Sequence, residues 1–455
     1  MTVALELAER ALAHTDGPAL ARVVAERSLS LRFARSRATQ STAIEDLDVQ
    51  VMVIQDGHAG VASTNRIDDD GLRAAARHAS EAAAIAARHA TGPGPYPAPP
   101  PGTITEGLAG WDAATAALDP GEGAAELDAA IREAADHGHE AFGIWSAGEV
   151  THAIASSAGA RLVDRVTDSY MKVITRDERE RSGFASATDM TVGAIDGAAL
   201  ARTASAKVTD QYEPLDLPPG RYRAVLDTEA VGELLSFTAT LAFDGLAHAE
   251  GRAALTGRLG EQVAAPAVTL TDDPRSGGTL PRAFDADGVA KRRVALLDAG
   301  VAREPIHDLR SAALAGGDAR STGHAIAPGG SSEGPAATNL VLAPGDARDV
   351  AALCAPIERG IYVTRLWYTN TVREHEALVT SMTRDGTFLI EDGQISRPLR
   401  DVRITDGLLR ILASTEALGT RQRLVGHGEF YGRRFAHGVL CPAIRVADLR
   451  VTGGA

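Results

Sequence analysis

The chain contains 455 residues, of which 44% are hydrophobic, 23% charged and 4% aromatic. This composition is typical of a soluble globular protein with aliphatic cores, and the length favours two domains. The formal net charge of -14 argues against nucleic acid as the main partner, because phosphate binding needs a basic surface. The two cysteines, Cys354 and Cys441, cannot form a disulfide framework or a CxxC metal site, so a cytoplasmic location is expected.

The first residues predict an amphipathic helix over 3–14. Its apolar pattern is interrupted by Glu6, Glu9 and Arg10, which a secretory signal peptide would not carry. Further along the chain, no apolar run is long enough to span a bilayer. We therefore expect neither secretion nor a membrane association.

The N-terminal half mixes strand-like and helical patterns. Alternating residues predict strands in "SLSLRFARS", "DLDVQVMVIQDG" and "HAGVASTNR". An Ala-rich helix follows, and then a proline-rich segment, "TGPGPYPAPPPG", that fits an exposed loop. An acidic helix near 123–138 and another helix near 192–209 flank further alternating segments. Residues 1–212 are thus predicted to form an α/β domain with an antiparallel sheet and long helices.

The C-terminal half is predicted to be rich in β-structure. A Pro-Pro-Gly sequence marks the boundary, and an apolar helix lies within residues 229–246. Most later segments alternate or contain hairpin turn signals such as "RDG" and "EDG". Residues 213–455 are therefore predicted to be a β-rich domain, which makes the fold class α+β.

Histidines provide the main candidate chemistry. His137 and His139 form an HxH pair, which can chelate a metal on a strand, but the pair follows a helix and fits a polar helix terminus better. His375 in "REHEA" is interpreted as part of a solvated loop. The sequence has no phosphate-binding loop, no GxSxG turn and no HExxH zinc motif. The residues alone therefore predict no catalytic set.

Residues 282–325 carry a more specific pattern: "FDADGV", a charged stretch, "LLDAGV" and then "STG". Together with segments 255–274, 386–408 and 442–451, this pattern resembles the TldD/TldE family, also called PmbA and once described as modulators of DNA gyrase. The resemblance implies a metalloprotease of two unlike subunits that enclose a chamber. Its substrate would be an unfolded peptide.

In the TldD-type subunit, the central helix carries His-Glu-x-x-x-His, and a cysteine near the C-terminus completes a zinc site. The corresponding positions here hold Ser236, Phe237 and Leu241, none of which can replace those ligands and that base. Cys441 directly precedes the final strand segment and is interpreted as a buried thiol. The resemblance therefore implies a TldE-type subunit with no catalytic residue and no cofactor. Zinc is expected in a TldD-like partner with the intact motif.

The segment 366–377 differs from the smaller, Gly-rich segment usual in the family. Its bulky or polar residues are Trp367, Tyr368, Arg373 and His375. It is interpreted as a loop that either lines the chamber or packs at the subunit interface. The substrate would be a peptide or, in a biosynthetic variant, an amide on a peptide- or carrier-linked intermediate.

Two alternative functions stay open. The first is an independently active hydrolase with an unrecognised site, at His137 and His139 or at His375. The second is a binding or scaffold protein without a protease partner. Under any of these functions, the chain in isolation could form a homodimer.

Overall fold

The computed structural model describes residues 3–92, 94–101, 104–105 (backbone only), 107–208, 213–426 and 432–454. Two β-sheets and their covering helices follow one another along the chain, so the predicted α+β fold class is confirmed. The predicted boundary adjoins residues 209–212, which lie outside the described residues, and the division at 212 stays a prediction. No described helix is long and apolar enough to cross a membrane.

The first part of the chain, up to residue 208, contains five helices among the described residues. These are α1 (Val3–Leu12), α2 (Asp69–His89), α3 (Ala113–Ala117), α4 (Pro120–Asp136) and α5 (Gly197–Ser205). A 3-10 turn at Val192–Ala194 precedes the last of them. The strands of this part are β1 (Ala19–Ala34), β2 (Arg37–Gln55), β3 (His58–Thr64), β4 (Ile104–Thr105), β5 (Glu140–Ser156), β6 (Arg161–Arg176) and β7 (Ser182–Asp189).

These seven strands form one sheet in the order β3-β2-β1-β5-β6-β4, with β7 paired to β6. All pairs are antiparallel except β4 with β6. Alternate residues of β1 face opposite sides. Val23 packs with the alanines of α1 and α2, whereas Leu20 packs with Met52 and with Phe284 from the second part of the chain. The sheet therefore lies between its own helices and the C-terminal half.

The second part of the chain begins at residue 213. Its described helices are α6 (Thr228–Phe243), α7 (Gly245–Ala249), α8 (Leu309–Ala315), α9 (Val350–Cys354) and α10 (Leu408–Ala413). Its strands are β8 (Gly220–Leu226), β9 (Leu270–Asp272), β10 (Val294–Asp298), β11 (Val301–Ala302), β12 (Asn339–Leu342), β13 (Arg359–Arg373), β14 (Leu378–Glu391), β15 (Gln394–Pro398), β16 (Val402–Gly407), β17 (Thr415–Gly426) and β18 (Gly438–Gly454).

The eleven strands of this part form a sheet that closes on itself. Strand β8 pairs in parallel with β13, where Ala224 faces Ile361, and antiparallel with β18, where Ala224 faces Val446. Strands β14 and β16 complete the ring between β13 and β18. Both edges of β8 are therefore hydrogen-bonded. Helix α6 follows directly after β8 and packs against β13 and β18.

A buried arginine joins the two sheets. Arg434 precedes β18 and is 4% exposed. Its Nε and Nη2 atoms donate to the two carboxylate oxygens of Asp168 on β6, each at 2.7 Å. Its backbone N–H donates to Glu26 Oε2 on β1, also at 2.7 Å. The segment that leads into β18 is thereby fixed to the centre of the N-terminal sheet.

Two predicted elements differ in detail. The helix predicted within 229–246 ends at Phe243, because the Asp244 carboxylate accepts the backbone N–H groups of Leu246 and Ala247 and starts helix α7. The segment 366–377 is not an open loop. It forms the end of β13 and the 3-10 turn at Glu374–Glu376, which leads directly into β14.

Leu241→Ala is expected to lower the free energy of unfolding by about 2–5 kcal/mol, because Leu241 is 7% exposed within the main C-terminal core. Thr240→Ala on the exposed side of the same helix is the control and is expected to change it by less than about 0.5 kcal/mol. Urea denaturation measures both. Equal stability of the two variants would contradict the burial of Leu241.

Asp168→Asn is expected to cost about 3–5 kcal/mol of unfolding free energy, because it leaves the buried Arg434 charge without its carboxylate. Glu81→Gln removes the exposed pair with Arg77 on α2 and should cost less than about 0.5 kcal/mol. Chemical denaturation of both variants tests the comparison, and a Asp168→Asn variant as stable as Glu81→Gln would refute it.

Candidate functional site

The start of helix α6 is fixed to strand β13. Asp227 caps the helix, and one of its carboxylate oxygens accepts the backbone N–H of Thr228 at 2.8 Å. The other oxygen accepts the hydroxyl of Tyr362 on β13 at 2.5 Å. Burial, and then the Asp227 charge, raise the pKa of Tyr362 well above its usual value, which keeps this hydroxyl a donor.

Helix α6 is apolar on most of its circumference, and its buried side chains belong to the C-terminal core. A polar stripe interrupts this surface at Glu229, Glu233 and Ser236, which are spaced by four and three residues. Such spacing places side chains on one face of a helix. All three line a cavity of about 290 Å³.

The cavity lies between the two sheets. Tyr170, Lys172 and Phe184 line it from strands β6 and β7 of the N-terminal sheet. The C-terminal half contributes the α6 stripe, residues 365–367 of β13 and the adjoining ends of β17 and β18. Its volume is close to the lower end of those found for small-molecule sites.

Most of the charges at the cavity wall are paired. The Glu229 carboxylate accepts the Ser186 hydroxyl at 2.5 Å and lies 3.7 Å from the Arg423 guanidinium. Arg365 forms an ion pair with Asp385, and its guanidinium carbon lies 4.3 Å from the centre of the Phe184 ring. Glu233 is half-buried and has no hydrogen bond or ion pair to any residue that the structure describes.

The three positions that match the zinc motif point to different surroundings. Ser236 lines the cavity, Phe237 is half-buried against the C-terminal core, and Leu241 lies within that core. Their side chains offer one hydroxyl and no imidazole or carboxylate, so they do not fit a zinc ion and its base. Within the described ranges, no three His, Cys, Asp or Glu side chains are arranged to hold a metal.

The structure brings two residues of segment 366–377 to the cavity. Leu366 and Trp367 line it, together with the α6 stripe. Tyr368 is 68% exposed and contacts Trp367 edge to face, with 4.5 Å between the ring centres. Arg373 and His375 lie at the exposed tip of the hairpin, where Arg373 pairs with Glu376 at 2.8 Å. They are not among the described residues of the cavity wall.

The other candidate residues lie elsewhere. His137 follows α4 and its Nδ1 lies 2.9 Å from the Glu133 carbonyl oxygen, with His139 stacked at 6.3 Å between ring centres. Cys441 is fully buried on β18, and its Sγ donates to the carbonyl oxygen of Thr228 at 3.4 Å. Burial and the charges of Glu229 and Asp227 raise the pKa of Cys441 well above its usual value, so it is an unreactive thiol.

Part of the Gly-rich segment that precedes Cys441, residues 427–431, lies outside the described residues.

Segment 282–325, which carries the resemblance, contributes to a buried ion cluster. Lys291 Nζ and His324 Nε2 lie 3.2 and 3.0 Å from Asp272 Oδ1. The other Asp272 oxygen accepts the backbone N–H groups of Thr338 and Asn339, each at 2.8 Å. Burial alone would raise the pKa of Asp272, but Lys291 and His324 lower it strongly. The side chains of Asp272, Lys291 and His324 are at most 1% exposed, so a substrate cannot reach them. Their role is structural, because they join β9 and β12 to segment 282–325.

Sequence reasoning missed the α6 stripe and its opposite wall. Two acids four residues apart in an otherwise apolar helix were the available signal for Glu229 and Glu233. No comparable signal exists for Lys172, because it comes from a distant strand.

Comparisons with known proteins support the resemblance. Two family models match: "PmbA/TldA metallopeptidase C-terminal domain" over residues 219–453 and "PmbA/TldA metallopeptidase domain 1" over residues 19–83. A curated "Metalloprotease" of Methanothermobacter thermautotrophicus is 27% identical over 52% of this chain and 51% of that protein. The "Metalloprotease TldD homolog" of Haemophilus influenzae is 24% identical over 52% of this chain and 49% of that protein.

The chain thus spans about half the length of the curated relatives that it matches. Among solved structures, TldE from Thermococcus kodakarensis is similar in fold, with a TM-score of 0.85, 18% identity, and coverage of 98% of this chain and 99% of that one. The C-terminal family model alone covers more than half of the sequence. The chain therefore belongs to the PmbA/TldD metallopeptidase family.

Proposed function

We propose that this chain is the non-catalytic subunit of a TldD/TldE-like metallopeptidase or amide hydrolase, paired with a chain that carries His-Glu-x-x-x-His. The observation that carries the proposal is the side-chain set at the motif positions of helix α6. Ser236, Phe237 and Leu241 supply neither zinc ligands nor a general base, and Leu241 is packed in the core. Such a helix retains its packing role without the means to activate water.

The proposed role of the chain is to form part of the substrate chamber. The α6 cavity and the β13–β14 hairpin place polar and aromatic side chains around the helix that carries the metal in relatives of the TldD type. A wall of this kind positions a substrate without itself reacting, and positioning makes a large contribution to rate. The substrate we propose is an unfolded peptide or, in a biosynthetic role, an amide on a peptide- or carrier-linked intermediate.

Hydrolysis of unstructured peptides is expected only when this chain is mixed with a His-Glu-x-x-x-His partner, because this chain lacks a Lewis acid and a base at the helix position. Replacing the partner's motif Glu with Gln in the mixture should abolish cleavage. Mass spectrometry of each chain alone, the pair and the Gln pair measures the outcome. Chelator-insensitive cleavage by this chain alone would refute the proposal, and equal activity of the partner alone would indicate a scaffold.

The purified chain is expected to bind less than about 0.1 zinc per chain after dialysis, because a tight protein site needs three or four clustered ligands. Elemental analysis by inductively coupled plasma mass spectrometry measures the zinc content. A double variant, His137→Ala with His139→Ala, serves as the comparison. One tightly held zinc per chain that this double variant loses would contradict the prediction and favour an independent hydrolase.

A further inference from the structure

The polar stripe of helix α6 offers acceptors to the cavity. The Ser236 hydroxyl donates its hydrogen to the Gly232 carbonyl oxygen at 3.0 Å, so its oxygen retains only acceptor capacity. Glu229 and Glu233 are carboxylates, which also accept. These three groups, spaced along two turns of one helix face, form a surface of acceptors that favours a hydrogen-bond donor.

Glu233 is the free member of this stripe. The Glu229 carboxylate already accepts a hydrogen bond from the Ser186 hydroxyl and lies 3.7 Å from the Arg423 guanidinium. Glu233 has no such partner in the described part of the chain, although it is half-buried in the wall of a cavity. A carboxylate removed from bulk water is costly unless a donor or a cation satisfies it.

The cations of the cavity do not meet this need. The Arg365 guanidinium already forms an ion pair with Asp385 on β14. Lys172 lines the wall formed by the N-terminal sheet and is itself not free, and the ion pairs of the described residues do not join it to Glu233. His437 also lines the cavity, and its Nδ1 lies 2.7 Å from the Phe435 carbonyl oxygen. The other side chains of the wall are aromatic or aliphatic, with Tyr170, Trp367 and Val439 among them. Aromatic faces attract cations, and Trp367 already has the Arg384 guanidinium carbon 4.2 Å from its ring centre.

We propose that this cavity is a binding site for a primary ammonium group, held by the Glu233 carboxylate and the Ser236 oxygen. An ammonium has three N–H donors on a compact centre, which suits acceptors that lie one turn apart better than the planar guanidinium fork does. The ammonium comes from a lysine side chain or from the amino terminus of a peptide. The site belongs to this chain alone and goes beyond the proposed pairing, since it needs neither the partner nor its zinc.

The test is isothermal titration calorimetry on the purified chain with three probes. N-acetyl-lysine methylamide presents a side-chain ammonium, leucine amide presents an amino-terminal ammonium, and N-acetyl-norleucine methylamide has no charge. Binding of at least one ammonium probe is expected, with the uncharged probe about tenfold weaker or silent. The tighter of the two ammonium probes identifies the source.

Glu233→Gln keeps the shape of the side chain and removes its charge, and it is expected to weaken ammonium binding about tenfold. Glu45→Gln, at an exposed acid on β2, is the matched control and should bind like the original chain. Melting temperatures verify that both variants are folded. The proposal is overturned if neither ammonium probe binds at about 10 mM, if the uncharged probe binds equally well, or if Glu233→Gln binds as tightly as Glu45→Gln.

Discussion

The Arg434 guanidinium is buried between the two sheets, and a buried charge is tolerated only when it is fully paired. The guanidinium pairs with Asp168 on strand β6, and the backbone N–H of Arg434 donates to Glu26 on strand β1 of the same N-terminal sheet. Because Arg434 directly precedes β18, this pairing also fixes the strand that contacts β8, β12, β16 and β17. Together with contacts such as those of Arg433 with Asp46 and Asp48, this pairing sets the relative position of the sheets and of the cavity between them.

Helix α6 is held in the fold by a capping contact at its start and by packing along its length. The helix is held at its start by Asp227 and Tyr362 and along its length by the C-terminal core. Leu241, which the resemblance matches to a position of the zinc motif, packs within this core. The opposite surface of the helix, at Glu233 and Ser236, remains polar and faces the cavity. Packing and recognition are thus divided between two faces of the same element.

Local sequence patterns predicted the class and order of most elements. Alternation in segments such as "DLDVQVMVIQDG" reports which face of a strand is buried, and this information is local. The break at Asp244 was missed, because a single capping carboxylate separates two apolar stretches that read as one helix. The hairpin at 366–377 was missed because its exposed strand ends lack alternation.

The site itself depends on contacts that a sequence does not display. Lys172 and Ser236 line one cavity, although Lys172 comes from strand β6 of the N-terminal sheet and Ser236 from helix α6 of the C-terminal half. The cluster of Asp272, Lys291 and His324 likewise forms only when the central segment folds back over β9 and β12. The motifs in residues 282–325 indicated the family resemblance, but they did not predict which residues pair with the charged side chains of this segment. Long-range pairing of this kind requires three-dimensional information.

The ring closure through β8 has a consequence for the order of folding during synthesis. Strand β8 leaves the ribosome early in the second half of the chain, yet one of its edges pairs with β18, where Gly220 faces Val451 near the C-terminus. The strands of the N-terminal sheet all lie before residue 190 and can pair while synthesis continues. The C-terminal ring cannot close before β18 has been synthesised, and contacts so distant in sequence form slowly. Until then one edge of β8 stays unpaired, and an unpaired strand edge can pair with another chain, so the nascent C-terminal half gains from chaperone protection.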